Sequence, residues 1–383
     1  MTSPSLHPER RFRARLLIIV AVAATWRVGV LIVDKWRQPL LLNDSLYYAG
    51  QAQQLARGIW FREIFVDQPG VEHGPLTSLL LAPVAGGSDP VPWMRLVTVL
   101  FGIVTVLLIG LLGRRVGGDR VGLVAAAIAA IYPNLWMNDG LVMSESVSVF
   151  VVCVVLLVTL RVIADEHASR WSLVVLGACT GLGALARSEL ALLAVGVALL
   201  VWATAGWRWR TVVRPALVVL GAVVVVAPWV VFNMARFERP VTLTTNDGTT
   251  LLGANCDATF RGEALGGWSV LCVVSDPAYR MDEEPSVRSV RQRSLALAYV
   301  RDHVGDLPRV TAARIGRTLD LYGLGNLVQQ DVGEERYRWA SWAGIVMWWL
   351  LAPLAVIGAV LGLRRGLVAR RDLWALALPC IAV

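Results

Sequence analysis

The chain is dominated by apolar runs long enough to cross a membrane. A helix needs about 17–25 mainly apolar residues to span about 30 Å of hydrocarbon. Of the 383 residues, 56% are hydrophobic, and the mean hydropathy of +0.60 is too high for an ordinary soluble domain. These runs predict an all-α polytopic membrane protein. The predicted spans are 16–33, 93–112, 121–137, 141–161, 171–186, 189–205, 212–232 and 342–363.

Some of the apolar runs are short for a membrane span. For 121–137, 171–186 and 189–205, we expect tilting or local thinning of the bilayer to compensate. A further run begins at about residue 373 and is still apolar at Val383, too short to span. This ending indicates that the natural protein continues beyond the present chain.

The net charge of +8 comes from arginine clusters that fall between alternate spans. All of the clusters lie on one side of the membrane if the N-terminus is cytoplasmic, which is the positive-inside pattern. This distribution argues against a nucleic-acid partner, and the first span has no signal-peptide cleavage site. The clusters are Arg10, Arg11, Arg13 and Arg15; Arg114, Arg115 and Arg120; Arg208, Arg210 and Arg214; and Arg364, Arg365, Arg370 and Arg371.

This orientation divides the chain into three parts. Residues 1–232 form a transmembrane module that includes a first outer loop at 34–92. Residues 233–340 form an extracytoplasmic region, and 341–383 form C-terminal transmembrane helices. Because the inner loops are short and basic, we expect any chemistry to occur on the outer face.

The first outer loop has the pattern of two interfacial segments. Its first part predicts an amphipathic helix, with Gln51, Gln53, Gln54 and Arg57 away from the apolar face. The run Leu76–Ala85 is too short to span and predicts an interfacial or re-entrant piece. The apolar face of the first helix comprises Tyr48, Ala52, Leu55, Ala56 and Ile59.

The long outer region begins with turn-rich sequence at 244–250 and returns to helical pattern at about 287–303 and 307–322. Its helices carry many arginines. These could meet anionic lipid or phosphate, although a solvated basic face is the more common explanation. The arginines are Arg288, Arg291, Arg293, Arg301, Arg309, Arg314 and Arg317.

The five cysteines separate by location. Cys153, Cys179 and Cys380 lie in apolar runs and are expected to act as small buried hydrophobes. Cys256 and Cys272 both fall in the outer region, where a disulfide can persist. The alternative is two unpaired thiols in an irregular loop.

Two acids lie within the first outer loop, close to the membrane surface. Asp44 lies in Asn43-Asp44-Ser45, which suits the N-terminus of the following helix, so capping and catalysis are both open. Glu72 lies before a turn and is either a solvated loop acid or part of a site. Because charge is costly within hydrocarbon, we expect both carboxylates at the interface, where a lipid-linked substrate would present its head group.

A second pair of acids lies at the outer end of the fourth span. Asp139 is either a turn residue that favours the start of the helix or a substrate contact. Glu145 lies about one turn further on, which makes capping a less sufficient explanation.

Basic side chains occur near the same surface. Arg187 and Glu189 form either a local ion pair of little energetic value or a site in which the guanidinium binds phosphate. His73, next to Glu72, could ligate a metal or bind phosphate. One histidine and one acid are a weak metal signal.

At these residues the chain resembles membrane glycosyltransferases of the C-type fold. It is most similar to the protein O-mannosyltransferases and the bacterial lipid A aminoarabinose transferases, and 246–256 resembles an actinobacterial branch of them. The likeness covers 14–232 well and 233–383 more loosely. The matching residues are Asp44, Tyr48 and Ala49, Glu72-His73-Gly74-Pro75-Leu76, Asp139 and Arg187.

The resemblance implies roles for particular residues. Asp44 would be the catalytic base, Glu72 would contribute to the same site, and Arg187 would contact the donor phosphate. Two positions depart from the common family pattern: Ser45 stands where a second acid often follows the first, and His73 stands where lysine often follows the glutamate. Both departures weaken the transfer of donor and acceptor preferences.

The resulting prediction is an inverting glycosyl transfer on the outer face of the plasma membrane. A polyprenyl-phosphate sugar would be the donor, and a glycan, lipid or protein hydroxyl the acceptor, with Tyr48, His73, Asp139 and Glu145 in substrate binding. No cofactor is required, and a divalent metal is compatible with the reaction but not demanded. The alternatives are a carrier or flippase for a lipid-linked saccharide and, less favoured, a membrane scaffold that binds a cell-wall partner.

Overall fold

The computed structural model describes residues 8–41, 44–280 and 282–382, so Asn43 and Val383 lie outside the described residues. Within these ranges the chain is helical, without strands apart from one isolated bridge between Arg62 and Pro69. The first helices are α1 Pro8–Val30, α2 Asp44–Ala56, α3 Pro75–Leu81, α4 Val91–Ile131, α5 Pro133–Trp136, α6 Glu145–Ala164, α7 Arg170–Ala186, α8 Ala191–Thr204 and α9 Val213–Met234. The remaining helices are α10 Asp247–Ala254, α11 Asp257–Phe260, α12 Val270–Val274, α13 Pro285–Asp302, α14 Leu307–Thr318, α15 Leu324–Gly333, α16 Arg338–Arg364 and α17 Arg370–Ala382.

Five helical segments of the described chain are long and apolar enough to cross a membrane: those that contain α1, α4, α6, α9 and α16. Two shorter apolar helices, α7 and α8, lie between α6 and α9. Their faces pack on one another, and the outward surfaces carry exposed leucine, valine and tryptophan side chains, which suits contact with lipid. The predicted all-α polytopic class is confirmed.

The helix α4 is a hairpin that contains two of the predicted spans. The chain reverses at Gly118, whose φ of 80° is unfavourable for other residues. The two arms approach closely, because a Cβ on Gly122 would lie 2.6 Å from the Gly110 carbonyl oxygen. The second arm ends at Ile131, earlier than the predicted 137, since the residue before Pro133 is driven out of the helical conformation.

The first outer loop contains the two predicted segments, α2 and α3. In α2 the buried side chains include Tyr48 and Ala52, as expected, but also Gln51. The expectation that Gln51 faces away from the packed surface is therefore wrong. Its amide nitrogen donates a hydrogen bond to the Arg62 carbonyl, which ties α2 to the loop that follows it.

The arginine-rich turns meet at one end of the bundle. Arg114, at the hairpin turn of α4, stacks 4.3 Å from the ring of Phe12 near the start of α1. Arg214, at the start of α9, donates to the Glu166 carbonyl, 2.7 Å away, beyond the end of α6. Helices α2, α3 and α10 lie at the opposite end, because α1 and α6 each run between the two ends.

In the outer region, arginines hold the backbone together. Three of the predicted surface arginines donate to carbonyl groups rather than facing only solvent or lipid. These bonds are Arg309 to Phe260 at 2.8 Å, Arg314 to Ala254 at 2.6 Å and Arg317 to Leu265 at 2.7 Å.

Only the first part of the stretch expected to be turn-rich, 244–246, is non-helical, because helix α10 begins at Asp247. Gly248 packs directly on α13, because a Cβ there would lie 2.2 Å from the Ser289 carbonyl oxygen, and its N–H donates to the Ser289 hydroxyl. Tertiary packing thus overrides the turn preference of the local sequence. Nearby, Cys256 and Cys272 form a disulfide, with Cα atoms 5.8 Å apart.

Two helices of the transmembrane part cross at glycines. A Cβ on Gly177 of α7 would lie 1.9 Å from the Val218 carbonyl oxygen of α9, and one on Gly221 would lie 2.1 Å from that of Val174. Small residues of this kind let helix backbones approach closely within a membrane.

We predict that Gly177→Ala destabilises the protein by about 1–3 kcal/mol, since the added methyl group forces α7 and α9 apart. Gly29→Ala in α1 is the matched control, because a Cβ there has no neighbour within 4 Å. It should be neutral or slightly stabilising, as alanine favours helix. Thermal unfolding in detergent measures both variants, and equal midpoints for the two would contradict the close crossing.

Candidate active site

The predicted site residues meet in a cavity of about 650 Å³ at the end of the bundle away from the arginine-rich turns. Its walls come from α2, the loop before α3, the start of α6, the turn after α7, and α10. Five predicted residues line it: Asp44, Tyr48, Glu72, His73 and Arg187. The other lining residues include Ser144, Glu189, Asn246, Asp247 and Thr250.

Asp44 and His73 form a pair on one wall of the cavity. Asp44 is the first residue of α2, and its Oδ1 lies 3.4 Å from Nε2 of His73. The Asp44 side chain is 54% exposed, so one face of the carboxylate stays open to the cavity. The ring of Tyr48 stacks on His73 with centroids 5.0 Å apart, and this contact fixes the plane of the imidazole.

Neighbouring charges shift the pKa values of both Asp44 and His73. Burial acts to raise the pKa of Asp44, but His73, Arg187 and Arg336 together outweigh it and lower the pKa. Burial acts to lower the pKa of His73, but Asp44 and Glu72 outweigh it and raise the pKa. The pair therefore favours its ionised form, with a carboxylate next to an imidazolium.

Glu72 lies beside the Asp44–His73 pair, in the loop before α3. Its backbone N–H donates to the Tyr47 hydroxyl at 2.7 Å, which ties the loop to α2. Its carboxylate faces the cavity and forms no ion pair with any residue described by the structure.

A glycine brings the loop of His73 against the end of α7. A Cβ on Gly74 would lie 2.5 Å from the Leu185 carbonyl oxygen and 2.9 Å from that of Ala186. Only glycine fits at this distance without moving the backbone. The next residue along α7 is Arg187, so this contact sets the separation between Arg187 and the Asp44–His73 pair.

Arg187 is held by acids and still reaches the cavity. Its Nε donates to Glu189 at 2.5 Å, and its Nη1 donates to Glu145 at 3.1 Å and to Ser144 at 3.3 Å. The side chain remains 41% exposed. A guanidinium in this position can donate further hydrogen bonds to an anion in the cavity.

Asp139 does not line this cavity. Its carboxylate is buried and accepts hydrogen bonds from Arg27 Nε at 2.6 Å and from the Ser146 hydroxyl at 2.7 Å. Gly102 leaves the space for it, since a Cβ there would lie 2.1 Å from the carboxylate. The geometry thus places the predicted substrate contact in a buried ion pair between α1 and the loop before α6.

Sequence reasoning missed one basic residue beside the site. Arg336 lies two residues before α16, with Nη2 3.6 Å from the Glu145 carboxylate and Nε donating to Asn138 at 2.8 Å. Glu145 itself touches Arg187 and Arg336 without lining the cavity. The available signal was the charged stretch 334–338 directly before an apolar run.

Two further missed residues, Arg27 and Arg95, are charges within predicted spans. Such residues are rare and usually paired. Arg27 also donates to the carbonyl groups of Ala129 and Ala130, and so caps the end of α4. A search for charges inside the apolar runs would have found both.

No group of three or more histidine, cysteine, aspartate and glutamate side chains suited to a metal ion is found among the described residues. His73 has Asp44 as its partner and stacks on Tyr48. The cavity combines an open carboxylate, an imidazole and a guanidinium, a set suited to moving a proton and holding an anion.

Comparison with known proteins agrees with this architecture. Residues 76–232 match the family described as dolichyl-phosphate-mannose-protein mannosyltransferase. A search of curated protein sequences gave no significant match. The match and the fold confirm the resemblance to C-type membrane glycosyltransferases.

Two solved structures from Archaeoglobus fulgidus share the fold. One is an oligosaccharyltransferase in complex with Zn and sulfate, with a TM-score of 0.55 and 16% identity, covering 96% of this chain and 45% of that one. The other is the oligosaccharyltransferase AglB in complex with an inhibitory peptide and a dolichol-phosphate, with a TM-score of 0.51 and 15% identity, covering 99% and 55%. The present chain spans about half the length of these structures.

The shifted pKa values of Asp44 and His73 predict that the stability of the protein depends on pH. The contribution of His73 is complete below its ordinary pKa of 6.5, and that of Asp44 is complete above its ordinary pKa of 3.8. Stability from the pair is thus fully present between these values. It is lost as the pH rises through the raised pKa of His73 or falls through the lowered pKa of Asp44.

We therefore expect His73→Gln to lower the unfolding midpoint more at pH 5.5 than at pH 8.5. Thermal unfolding in detergent at both pH values measures this difference. His167→Gln is the control, because His167 is exposed in the turn between α6 and α7. An equal effect of His73→Gln at the two pH values would show that the pair is not ionised.

Proposed function

We propose that this membrane protein of the C-type glycosyltransferase fold transfers a sugar from a polyprenyl-phosphate donor to an acceptor hydroxyl, with inversion at the anomeric carbon. One observation carries the proposal: Asp44, paired with His73, and Arg187 line the same cavity at one end of the bundle. The first group can accept a proton and the second can hold a phosphate. The family match over residues 76–232 supports the same class of donor.

The reaction exchanges one C–O bond for another. The acceptor oxygen attacks the anomeric carbon from the face opposite the phosphate, and its bond forms as the bond to the phosphate oxygen breaks. Asp44 takes the acceptor proton, and polyprenyl phosphate leaves. The lowered pKa of Asp44 keeps the carboxylate ready to accept. Because the hydroxyl becomes acidic only as its new bond forms, this weak base suffices if the proton moves late.

Arg187 would stabilise the leaving group. As the glycosidic bond breaks, negative charge builds on the phosphate oxygen, and a fixed guanidinium nearby lowers the energy of that state. Its partners Glu145 and Glu189 hold the side chain in place before the donor binds. We therefore assign Glu145 to holding Arg187, and Asp139 to the buried pair with Arg27, in place of direct contacts with the sugar.

The remaining cavity residues would position the substrates. Glu72 lines the cavity, forms no ion pair with a described residue and would bind sugar or acceptor hydroxyls. Tyr48 holds His73 by stacking, and His73 holds Asp44. The exchange changes no oxidation state, so no redox cofactor is called for. If a divalent metal is bound, Glu72 would be the cavity side chain to hold it, and the metal would supply positive charge near the donor phosphate.

The site would lie at the outer face of the plasma membrane, with the N-terminus in the cytoplasm. The support is that the arginine-rich turns gather at the end of the bundle opposite the cavity. A donor could then keep its polyprenyl tail along the apolar helices while its phosphate reaches Arg187. Acceptors of the same side are glycans, lipids and proteins of the cell envelope.

We expect Asp44→Asn to reduce sugar transfer by about 10²–10⁴-fold, because the amide cannot accept the proton. Purified protein is incubated with radiolabelled polyprenyl-phosphate sugar and acceptor, and release of polyprenyl phosphate is followed. Asp67→Asn is the matched control, since Asp67 lies in the same outer loop with a side chain 93% exposed. It should transfer at the wild-type rate.

Unchanged transfer by Asp44→Asn would remove the catalytic base from the scheme. Absence of turnover with every sugar donor, together with movement of the donor across liposome membranes, would instead identify a carrier for lipid-linked saccharides.

We expect Arg187→Gln to lower kcat/KM for the donor by about 10²–10³-fold, the usual effect of removing one donor from a developing anion. Arg280→Gln is the control, because Arg280 is 74% exposed and pairs with Asp282 at the surface. Initial rates over a range of donor concentrations give kcat and KM for the wild type and for each variant. A wild-type kcat/KM in Arg187→Gln would exclude the phosphate contact.

A further inference from the structure

A buried ion pair lies outside the cavity and joins four segments around it. Arg95 of α4 and Glu335, before α16, are 2.7 Å apart, and both side chains are 0% exposed. Arg95 also donates to the carbonyl groups of Gly140 at 2.8 Å and Gln38 at 3.3 Å. The pair thus connects α4, the loop that carries Asp139, the end of the first span and the start of α16.

Glu335 is held by its backbone as well as its side chain. Its φ is 68°, a left-handed conformation that is uncommon outside glycine and asparagine. Lys35, the only lysine in the sequence, donates to the Glu335 carbonyl. The Leu41 N–H donates to the Glu335 carboxylate at 3.3 Å. Three contacts from three directions therefore hold this strained residue in one conformation.

The next residue is Arg336, whose direction follows from this conformation. Its guanidinium is 9% exposed and contacts Glu145, Asn138, Asp331 and Glu334. The Glu145 oxygen that it approaches is the one that binds Arg187, since both ion pairs use Oε1. Glu145 therefore shares its charge between a buried arginine and the arginine of the cavity.

We propose that Glu335 is a positioning residue for the transfer reaction: anchored by Arg95 and Lys35, it fixes Arg336 against Glu145 and so keeps Arg187 directed into the cavity. This inference rests on the proposed role of Arg187. A buried ion pair is seldom needed for stability alone, because apolar residues of similar volume often serve as well. Here the pair selects one backbone conformation and one direction for the following side chain.

The electrostatic consequence concerns Arg187. With Arg336 in place, Glu145 has two cationic partners, and Arg187 retains donors for an anion in the cavity. Without Arg336, Glu145 would draw on Arg187 alone and pull its guanidinium toward the protein and away from the donor phosphate. Loss of the anchor at Glu335 should thus have the same effect as loss of Arg336 itself.

The test uses the full chain in detergent and two readouts. Glu335→Gln keeps the size of the side chain and removes its charge, and Glu335→Asp keeps the charge if the first variant folds poorly. We expect Glu335→Gln to lower kcat for transfer on the order of 10²-fold, the effect of misplacing a reacting group by about 1 Å. Arg336→Gln should lower kcat equally, and the double variant should lose no more than either single one.

The second readout does not depend on activity. Phenylglyoxal modifies accessible guanidinium groups, and peptide mass spectrometry gives the rate at each arginine. In the wild type, Arg336 should react slowly relative to Arg280, whose side chain is 74% exposed. In Glu335→Gln or Glu335→Asp, the modification rate of Arg336 should rise about tenfold while that of Arg280 stays constant, about 1.4 kcal/mol of lost protection.

Losses that multiply in the double variant, or an Arg336 that stays protected when Glu335 is changed, would overturn the proposal. If wild-type protein transfers no sugar from any donor, the proposed function fails on its own. The modification rates of Arg336 then decide whether Glu335 positions it.

Discussion

The site depends on the need to pair charges within an apolar bundle. An unpaired charge inside a membrane costs at least about 2.5–3.5 kcal/mol, so each arginine in the spans requires a partner. Arg27 donates to Asp139 and to the last carbonyl groups of α4. Arg95 donates to the carbonyl group of Gly140, the residue that follows Asp139. Two arginines from different helices thereby clamp one short loop. The loop leads directly into Ser144 and Glu145, which hold Arg187 on the cavity wall.

Much of the architecture could be predicted because membrane insertion depends on the hydropathy of local stretches of sequence. Hydropathy located the spans, and the turn between 112 and 121 indicated the α4 hairpin that forms at Gly118. Periodicity found α2, and run length found α3. The grouping of Asp44, His73 and Arg187 was also accessible, since all three were predicted to lie beyond the same ends of the apolar runs and to resemble residues of a known family.

What could not be predicted depends on contacts between distant parts of the chain. The Arg27–Asp139 bond joins residues separated by 112 positions, and the Arg336–Asn138 bond spans 198. Neither end of such a contact shows a local pattern that identifies the other. The same limit explains Gln51 and α10. The side-chain amide of Gln51 is buried where its nitrogen donates to the Arg62 carbonyl of the following loop. Helix α10 forms where Gly248 packs against α13.

The contact at Gly74 has a consequence for substrate entry. At Gly74 the backbone of the loop that carries His73 lies directly against the backbone at the end of α7. These two segments form one closely packed side of the cavity, here called the floor. The opposite wall, at 246–251, joins that floor through the backbone hydrogen bond from Thr245 to Val71 and through the apolar packing of Val241 on Val71 and Leu185. For the proposed transfer, a bulky acceptor would therefore lie against this outer wall, and the outer region would help to set the size of acceptor that fits.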